Sequence, residues 1–245
     1  MKTFRLIRST PASAEYNMAL DKSIFDQYLV DGVPVLRLYF WQAPSLTYGI
    51  SQNPESEINL SACLANGVQR AKRITGGGVL FHDREITYSL TCSKVDIGED
   101  KDLFVSYKRS CAFLLNFYKS LGLNPNFAVE SEDFARKSAP HQLCSASREK
   151  YDILLNGMKI GGNAQKRTRQ VIFQHGSIPL DIDWDFLRLF LPGLPADISS
   201  LVTDLNSQLP VKLEREVLVD KLIAVFTQTY SVNFVDSLHN SLSAK

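Results

Sequence analysis

The alternation of apolar and polar positions divides the chain into short helices and strands. After Thr10-Pro11, read as a helix cap followed by a proline at the first helical position, Tyr16, Ala19, Leu20, Ile24, Phe25 and Tyr28 recur at helical spacing. Residues 36–41 are rich in β-formers, and residues 47–50 read as a second strand after the Ala43-Pro44 break. A short helix is predicted over 57–65 and stops at Asn66-Gly67. Residues 68–74 and 86–91 read as strands on either side of a glycine turn, and 103–121 as the longest helix, closed by Gly122. The sharpest local signal is a hairpin, 151–155 and 158–164 around Asn156-Gly157, because this pair accepts the positive φ values of a type I′ turn. A strand over 171–178, a helix over 184–190 broken by Pro192, Gly193 and Pro195, and a last helix over about 214–230 complete the pattern. Strands and helices interleave without a regular βαβ rhythm, so the expected class is α+β, or mixed α/β, in one domain spanning 1–245. Residues from about 211 to 245 are expected as a C-terminal helical addition.

Composition narrows the function classes. Of 245 residues, 27 are Lys or Arg and 26 are Asp or Glu, a net charge of +1 that excludes a protein broadly coating nucleic acid. Hydrophobic content of 44% with 22% charged residues excludes wholesale disorder. No run approaches the roughly 20 apolar residues that span a bilayer. The first 17 residues scatter charges among few apolar ones, unlike a signal peptide, so a cytoplasmic protein is expected. The four cysteines form no CxxC pair and the four histidines no HExxH, so no metal site is expected. Cys63, Cys92 and Cys111 read as small buried hydrophobes. Cys144 lies in the irregular stretch 139–147 among small polar residues, where a thiol is more exposable and a nearby cation lowers its pKa.

Three segments carry candidate chemistry. In the block from Arg73 to Asp83, Gly76, Gly77 and Gly78 let backbone N–H groups approach a ligand, flanked by Arg73 and His82; it is neither a Walker loop nor GxGxxG. Lys159 is followed by Gly161 and Gly162, two glycines that weaken a strand unless something lies against the backbone there. Gln174-His175-Gly176-Ser177 is not a G-x-S-x-G elbow, and His175 in an apolar strand reads as a hydrogen-bonded structural residue.

Together these segments resemble the lipoate–protein ligase and octanoyltransferase family. The resemblance runs through Asn17-Met18-Ala19-Leu20-Asp21, Leu36-Arg37, Tyr39-Phe40-Trp41, Pro44, Tyr48-Gly49 and Gln52. It continues through the block from Arg73 to Asp83, then Lys159 to Gln165 and Gln174 to Ile178. It implies the biotin–protein ligase catalytic fold, with a large mixed sheet, a smaller sheet and flanking helices. Glu85-Ile86-Thr87-Tyr88-Ser89, Gly162-Asn163-Ala164-Gln165 with Gln174-His175-Gly176-Ser177, and Cys144 upstream of Lys159 resemble the octanoyltransferases. Gly78 and Asn163 are closer to the ligase pattern or depart from the transferase one, which keeps an ATP-dependent ligase as the alternative.

For a transferase the resemblance implies a Cys144 thioester assisted by Lys159, with Arg73, Gly76, Gly77, Gly78, His82, Gly161, Gly162 and Ala164 binding substrate. The implied partners are octanoyl-acyl carrier protein and a lipoyl domain or glycine-cleavage H protein, with no nucleic acid or membrane. No cofactor is implied for transfer; ATP and Mg2+ are implied for a ligase. The clusters Arg70-Lys72-Arg73 and Lys166-Arg167-Arg169 are candidate contacts for acidic partners.

Overall fold

The computed structural model describes residues 2–53, 57–98, 103–131 and 149–236. Its first helix, α1 (Ala14–Asp31), begins later than the Thr10-Pro11 reading expected, because Ser13 is the residue whose side chain accepts the Tyr16 N–H. Pro11 stands instead in an extended segment, where Ala12 bridges to Trp41. Before it runs β1 (Lys2–Arg8), a strand whose three charged residues in seven hid it from the pattern.

The next elements are β2 (Val35–Tyr39), β3 (Ser45–Tyr48), α2 (Leu60–Ala65), β4 (Gln69–Lys72), β5 (Leu80–His82) and β6 (Glu85–Cys92). Then come α3 (Leu103–Ser120), β7 (Pro125–Phe127), β8 (Ile153–Leu155), β9 (Met158–Ile160), β10 (Gly162–Arg167) and β11 (Ile172–Pro179). The chain closes with α4 (Trp184–Phe190), α5 (Ile198–Leu201), β12 (Val202–Thr203), α6 (Leu205–Gln208), α7 (Arg215–Tyr230) and β13 (Val232–Asp236). The hairpin turn is as expected, with Asn156 at φ 50 and Gly157 at φ 76.

A six-stranded mixed sheet has the order β10-β11-β6-β2-β1-β13, beside a four-stranded sheet β12-β9-β8-β7 and a three-stranded sheet β4-β3-β5. The segment after residue 211 is therefore more than a helix: β13 pairs in parallel with β1, Lys2 opposite Val232, and extends the large sheet.

Strand alternation gives that sheet two unlike faces. Leu36 and Leu38, Ile86, Tyr88 and Leu90, and Ile172 and Ile178 point to one side and join Phe113 and Phe117 of α3 and Leu222 and Phe226 of α7 in the main core. On the other side, register aligns Arg37 with Ser89 and Ser89 with His175, and Tyr39 with Thr87 and Thr87 with Ser177. This polar face lies under α1. There Arg37, fully buried, donates to Asp21 Oδ1 at 2.7 Å and Asn17 Oδ1 at 2.6 Å, while Tyr39 and Ser89 also donate to Asp21. The ion pair is saturated with hydrogen bonds, the condition under which burying it is tolerable.

Gly161 marks the passage from the small sheet to the large one. Its φ is +67, and a Cβ there would stand 1.9 Å from the Ser177 carbonyl oxygen. Only glycine lets β9, paired with β8 and β12, continue directly into β10 against β11.

Candidate active site

Lys159 occupies the middle of β9, 4% exposed, with Nζ 2.9 Å from Asp152 Oδ2. The same carboxylate oxygen accepts the Glu149 N–H at 2.7 Å, so the chain re-enters the described residues directly beside the lysine. Glu149, just before Tyr151, thus lies near Lys159, a proximity that the hairpin allows; Cys144 itself lies outside the described residues.

Lys159 and Asp152 face a cleft of about 420 Å³ that brings together Arg73, Gly76, Gly77, Gly162 and Ala164 from the sequence-predicted set. Tyr107 and Tyr151, stacked with ring centroids 4.6 Å apart, form part of the same wall. A second, narrower opening of about 80 Å³ shares Leu80, Lys159 and Gly162 with the cleft and is otherwise mostly apolar. Gly161 lines only this second opening.

The glycine turn is shaped from beneath. Arg73 is buried, and its Nη1 donates to the Thr47 carbonyl at 2.7 Å and to Thr47 Oγ1 at 2.9 Å. Its Nη2 donates to the carbonyls of Gly76 and Gly78 at 3.2 and 2.7 Å. The guanidinium thus turns two carbonyls inward. Peptide planarity then aims the N–H of Gly77 the opposite way, and among the described residues that N–H meets no acceptor. Gly49 is the floor: a Cβ there would lie 2.2 Å from the Gly77 carbonyl oxygen.

His82 does not reach either opening; it lies behind the turn. Its Nε2 is 2.6 Å from Thr47 Oγ1, its Nδ1 is 2.8 Å from Glu85 Oε1, and its ring stacks on Trp41 with centroids 4.2 Å apart. One arrangement of protons accounts for all three contacts: Arg73 donates to Thr47, Thr47 to His82 Nε2, and His82 Nδ1–H to Glu85. Glu85 also accepts from Trp41 Nε1 at 3.1 Å, from Ser177 Oγ at 2.6 Å and from Thr87 Oγ1. Burial pushes the Glu85 carboxyl up, but His82, Ser177 and Thr87 outweigh it and hold the group below its ordinary value. Thr47, Glu85 and Asp152 were missed as site residues: Glu85 stood in the Glu-Ile-Thr-Tyr-Ser match without a role, and Thr47 and Asp152 look ordinary in a strand and a turn.

His175 is buried with Nε2 2.8 Å from Thr75 Oγ1, and burial, with Arg73 and His82 nearby, drives its pKa well below the ordinary histidine value. It is a neutral structural residue. Cys63, Cys92 and Cys111 are all buried. Burial raises the Cys111 thiol to about 12, and its Sγ bonds to Gln174 Oε1 at 3.6 Å, so it is inert at neutral pH. The predicted basic cluster at 166–169 comes apart. Arg167 turns inward to Gln165 at 2.6 Å and to Ser106, while Lys166 covers the Phe25 ring at 5.1 Å. Likewise Arg73 is buried between Arg70 and Lys72's sheet and the glycine turn, leaving Lys72 exposed.

Among the described residues no group of three or more His, Cys, Asp or Glu could hold a metal ion, and no helix is long and apolar enough to cross a membrane.

Octanoyltransferase LipM of Kyrpidia tusciae is 37% identical over 80% of this chain and 73% of its own length. Among solved structures, a bipartite lipoate protein ligase of Thermoplasma acidophilum, studied with its E2 lipoyl domain, superposes with a TM-score of 0.77 at 21% identity, covering 98% of this chain and 89% of that one. A lipoate-protein ligase A bound with ATP gives the same score at 23% identity, over 98% and 90%. These two likenesses establish the fold, a mixed α+β ligase-type catalytic domain. The model of the lipoyl protein ligase A/B catalytic domain matches residues 13–227, and this chain belongs to that family.

Proposed function

We propose that this protein is an octanoyltransferase of lipoate metabolism, moving an octanoyl group from acyl carrier protein through a Cys144 thioester to a lysine of a lipoyl domain or H protein. The observation that carries the reading is the buried Lys159–Asp152 pair at the point where the chain re-emerges at Glu149. Glu149 follows Cys144 by five positions, a span of at most about 18 Å of chain. The other three cysteines are buried, which leaves Cys144 as the candidate nucleophile. The 37% identity to an octanoyltransferase supports the same chemistry.

In this mechanism the Cys144 thiolate attacks the acyl thioester; the new C–S bond forms and the carrier's thiol departs. The Lys159 cation favours the thiolate over the thiol. The outward Gly77 N–H is a donor for the tetrahedral oxyanion, an effect worth roughly 3–4 kcal/mol for a well-placed group. Arg73 contributes by holding the carbonyls of that turn away from the developing charge.

The residues present fit a nucleoside triphosphate poorly. Both Nη groups of Arg73 are spent on its own loop, Lys159 is paired with Asp152, and the opening beside them carries Asp83, Asp181 and Asp183 against the single guanidinium of Arg84. The test is transfer from octanoyl-acyl carrier protein to an unlipoylated acceptor without ATP, read as amide formation on the acceptor. Transfer that proceeds without ATP supports the proposal, whereas transfer only from free acid plus ATP and Mg2+ would replace it with the ligase reading.

A further inference from the structure

Apart from Lys159, the residues of the narrow opening beside the cleft have no part in the thioester step. Among its lining residues Lys159, Gly162 and Leu187 are buried and form the inner end, while the half-buried Leu80, Phe81, Ile182 and Trp184 form the throat. On the solvent side, at its mouth, stand the half-buried Asp83 and Asp181 and the exposed Asp183. Arg84 offsets one of these charges, 2.5 Å from Asp181 and 3.7 Å from Asp83. Glu85 also borders the pocket, but its two oxygens are occupied by the donors described above. Asp183 spends one oxygen capping α4 through the Phe186 N–H. Burial, reinforced by Glu85, Asp183 and Asp181 and opposed by Arg84, raises the Asp83 carboxyl above its ordinary value, making it a better proton acceptor.

The sequence of environments is negative at the mouth, apolar in the throat and cationic at the inner end. An acyl chain would fit the throat but gains nothing from three carboxylates at the mouth, and a phosphate is opposed by them. A cation on an aliphatic stem meets both requirements. We propose that this pocket is the entry channel for the acceptor's lysine side chain, an inference that rests on the transferase reading above. The mouth collects the ammonium, the throat strips its water, and the Lys159 charge favours arrival of the neutral amine. The balance is simple. The ammonium leaves one proton with a mouth carboxylate or water, and the amine nitrogen bonds to the acyl carbon. The C–S bond then breaks with its electron pair on Cys144 Sγ, and a second amine proton leaves with that sulfur as the thiol.

The experiment separates the two half-reactions. The protein is loaded with octanoyl-acyl carrier protein, the acyl-enzyme is isolated, and it is chased with an unlipoylated lipoyl domain. The variant is Asp181→Asn/Asp183→Asn, in which asparagine at 183 still caps α4; Asp181→Lys is the stronger form. Loading is expected to stay within about twofold, while the chase slows by about fivefold or more, further for Asp181→Lys. A chase that is unchanged or faster overturns the channel, as does a shift in acyl-chain preference during loading, which would make the pocket the acyl site. Failure of the parent to form any acyl-enzyme overturns the transferase reading and the channel with it.

Discussion

Replacing Glu85 with alanine removes the acceptor on which Trp41, His82, Thr87 and Ser177 converge. Trp41 Nε1 keeps Thr87 Oγ1 as a partner at 2.7 Å, and the Thr87 hydroxyl can turn, so two donors, His82 Nδ1–H and Ser177 Oγ–H, are left without a partner. Each orphaned buried donor costs about 1–3 kcal/mol. The pair therefore costs about 4 kcal/mol, within the range for breaking a buried charged network. For a protein of this size that is a fall in Tm of about 8–16 °C. Glu85→Gln keeps an acceptor for His82 and offers Ser177 a donor, so it loses the charge but not the bonds and costs about 1–2 kcal/mol. Because folding lowers the Glu85 pKa, its carboxylate contributes stability above the unfolded value of 4.5 that is lost as pH falls through the folded one. The parent should therefore lose more stability than Glu85→Gln as pH falls below about 4.5. Urea unfolding of the three proteins at pH 7 and pH 4 measures both effects. An alanine variant within about 1 kcal/mol of the parent, or a glutamine variant as damaged as alanine, would refute the assigned proton arrangement.

His175 is held neutral with a folded pKa well below 6.5, so the unfolded chain takes up its proton first and stability falls as pH drops below 6.5. His175→Gln should flatten that slope in a denaturation series from pH 7 to 5. Gly161→Ala places a Cβ against the Ser177 carbonyl at positive φ; calorimetry should show a loss of at least about 3 kcal/mol or no folded protein. Lys159→Ala should slow acyl-enzyme formation by up to about 30-fold at pH 7 and move its pH dependence upward, because the thiol returns toward its unperturbed pKa of about 8.5. A loading profile that keeps its midpoint would show that Lys159 does not act on the thiol.

The elements that could be read from sequence are those whose signal is local. Asn156-Gly157 announced its own turn, and the apolar period of α3 and the glycine after it delimited that helix. The burial of Cys63, Cys92 and Cys111 followed from their apolar surroundings. What escaped depends on distance along the chain. β1 and β13 pair residues 2–6 with 232–236, so neither strand has an obvious partner in its own neighbourhood. The Arg73–Thr47–His82–Glu85 relay joins three strands, and only two of its members sit within one short motif. Arg73 and His82 were read as ligand contacts because they flank the glycines, whereas their hydrogen bonds go to the protein that shapes those glycines. The apolar opening is likewise built from residues about a hundred positions apart, at 80–85 and 181–191, and nothing in either segment marks it alone.

The central claim is that Cys144 carries the acyl group. Intact-protein mass spectrometry after mixing the parent and Cys144→Ala with octanoyl-acyl carrier protein, in the absence of ATP, tests it directly. The account predicts a gain of one octanoyl mass, labile to hydroxylamine, in the parent alone, with the label mapping to the peptide that contains Cys144. An adduct of equal yield in Cys144→Ala, or acceptor acylation by that variant at the parent's rate, would contradict it.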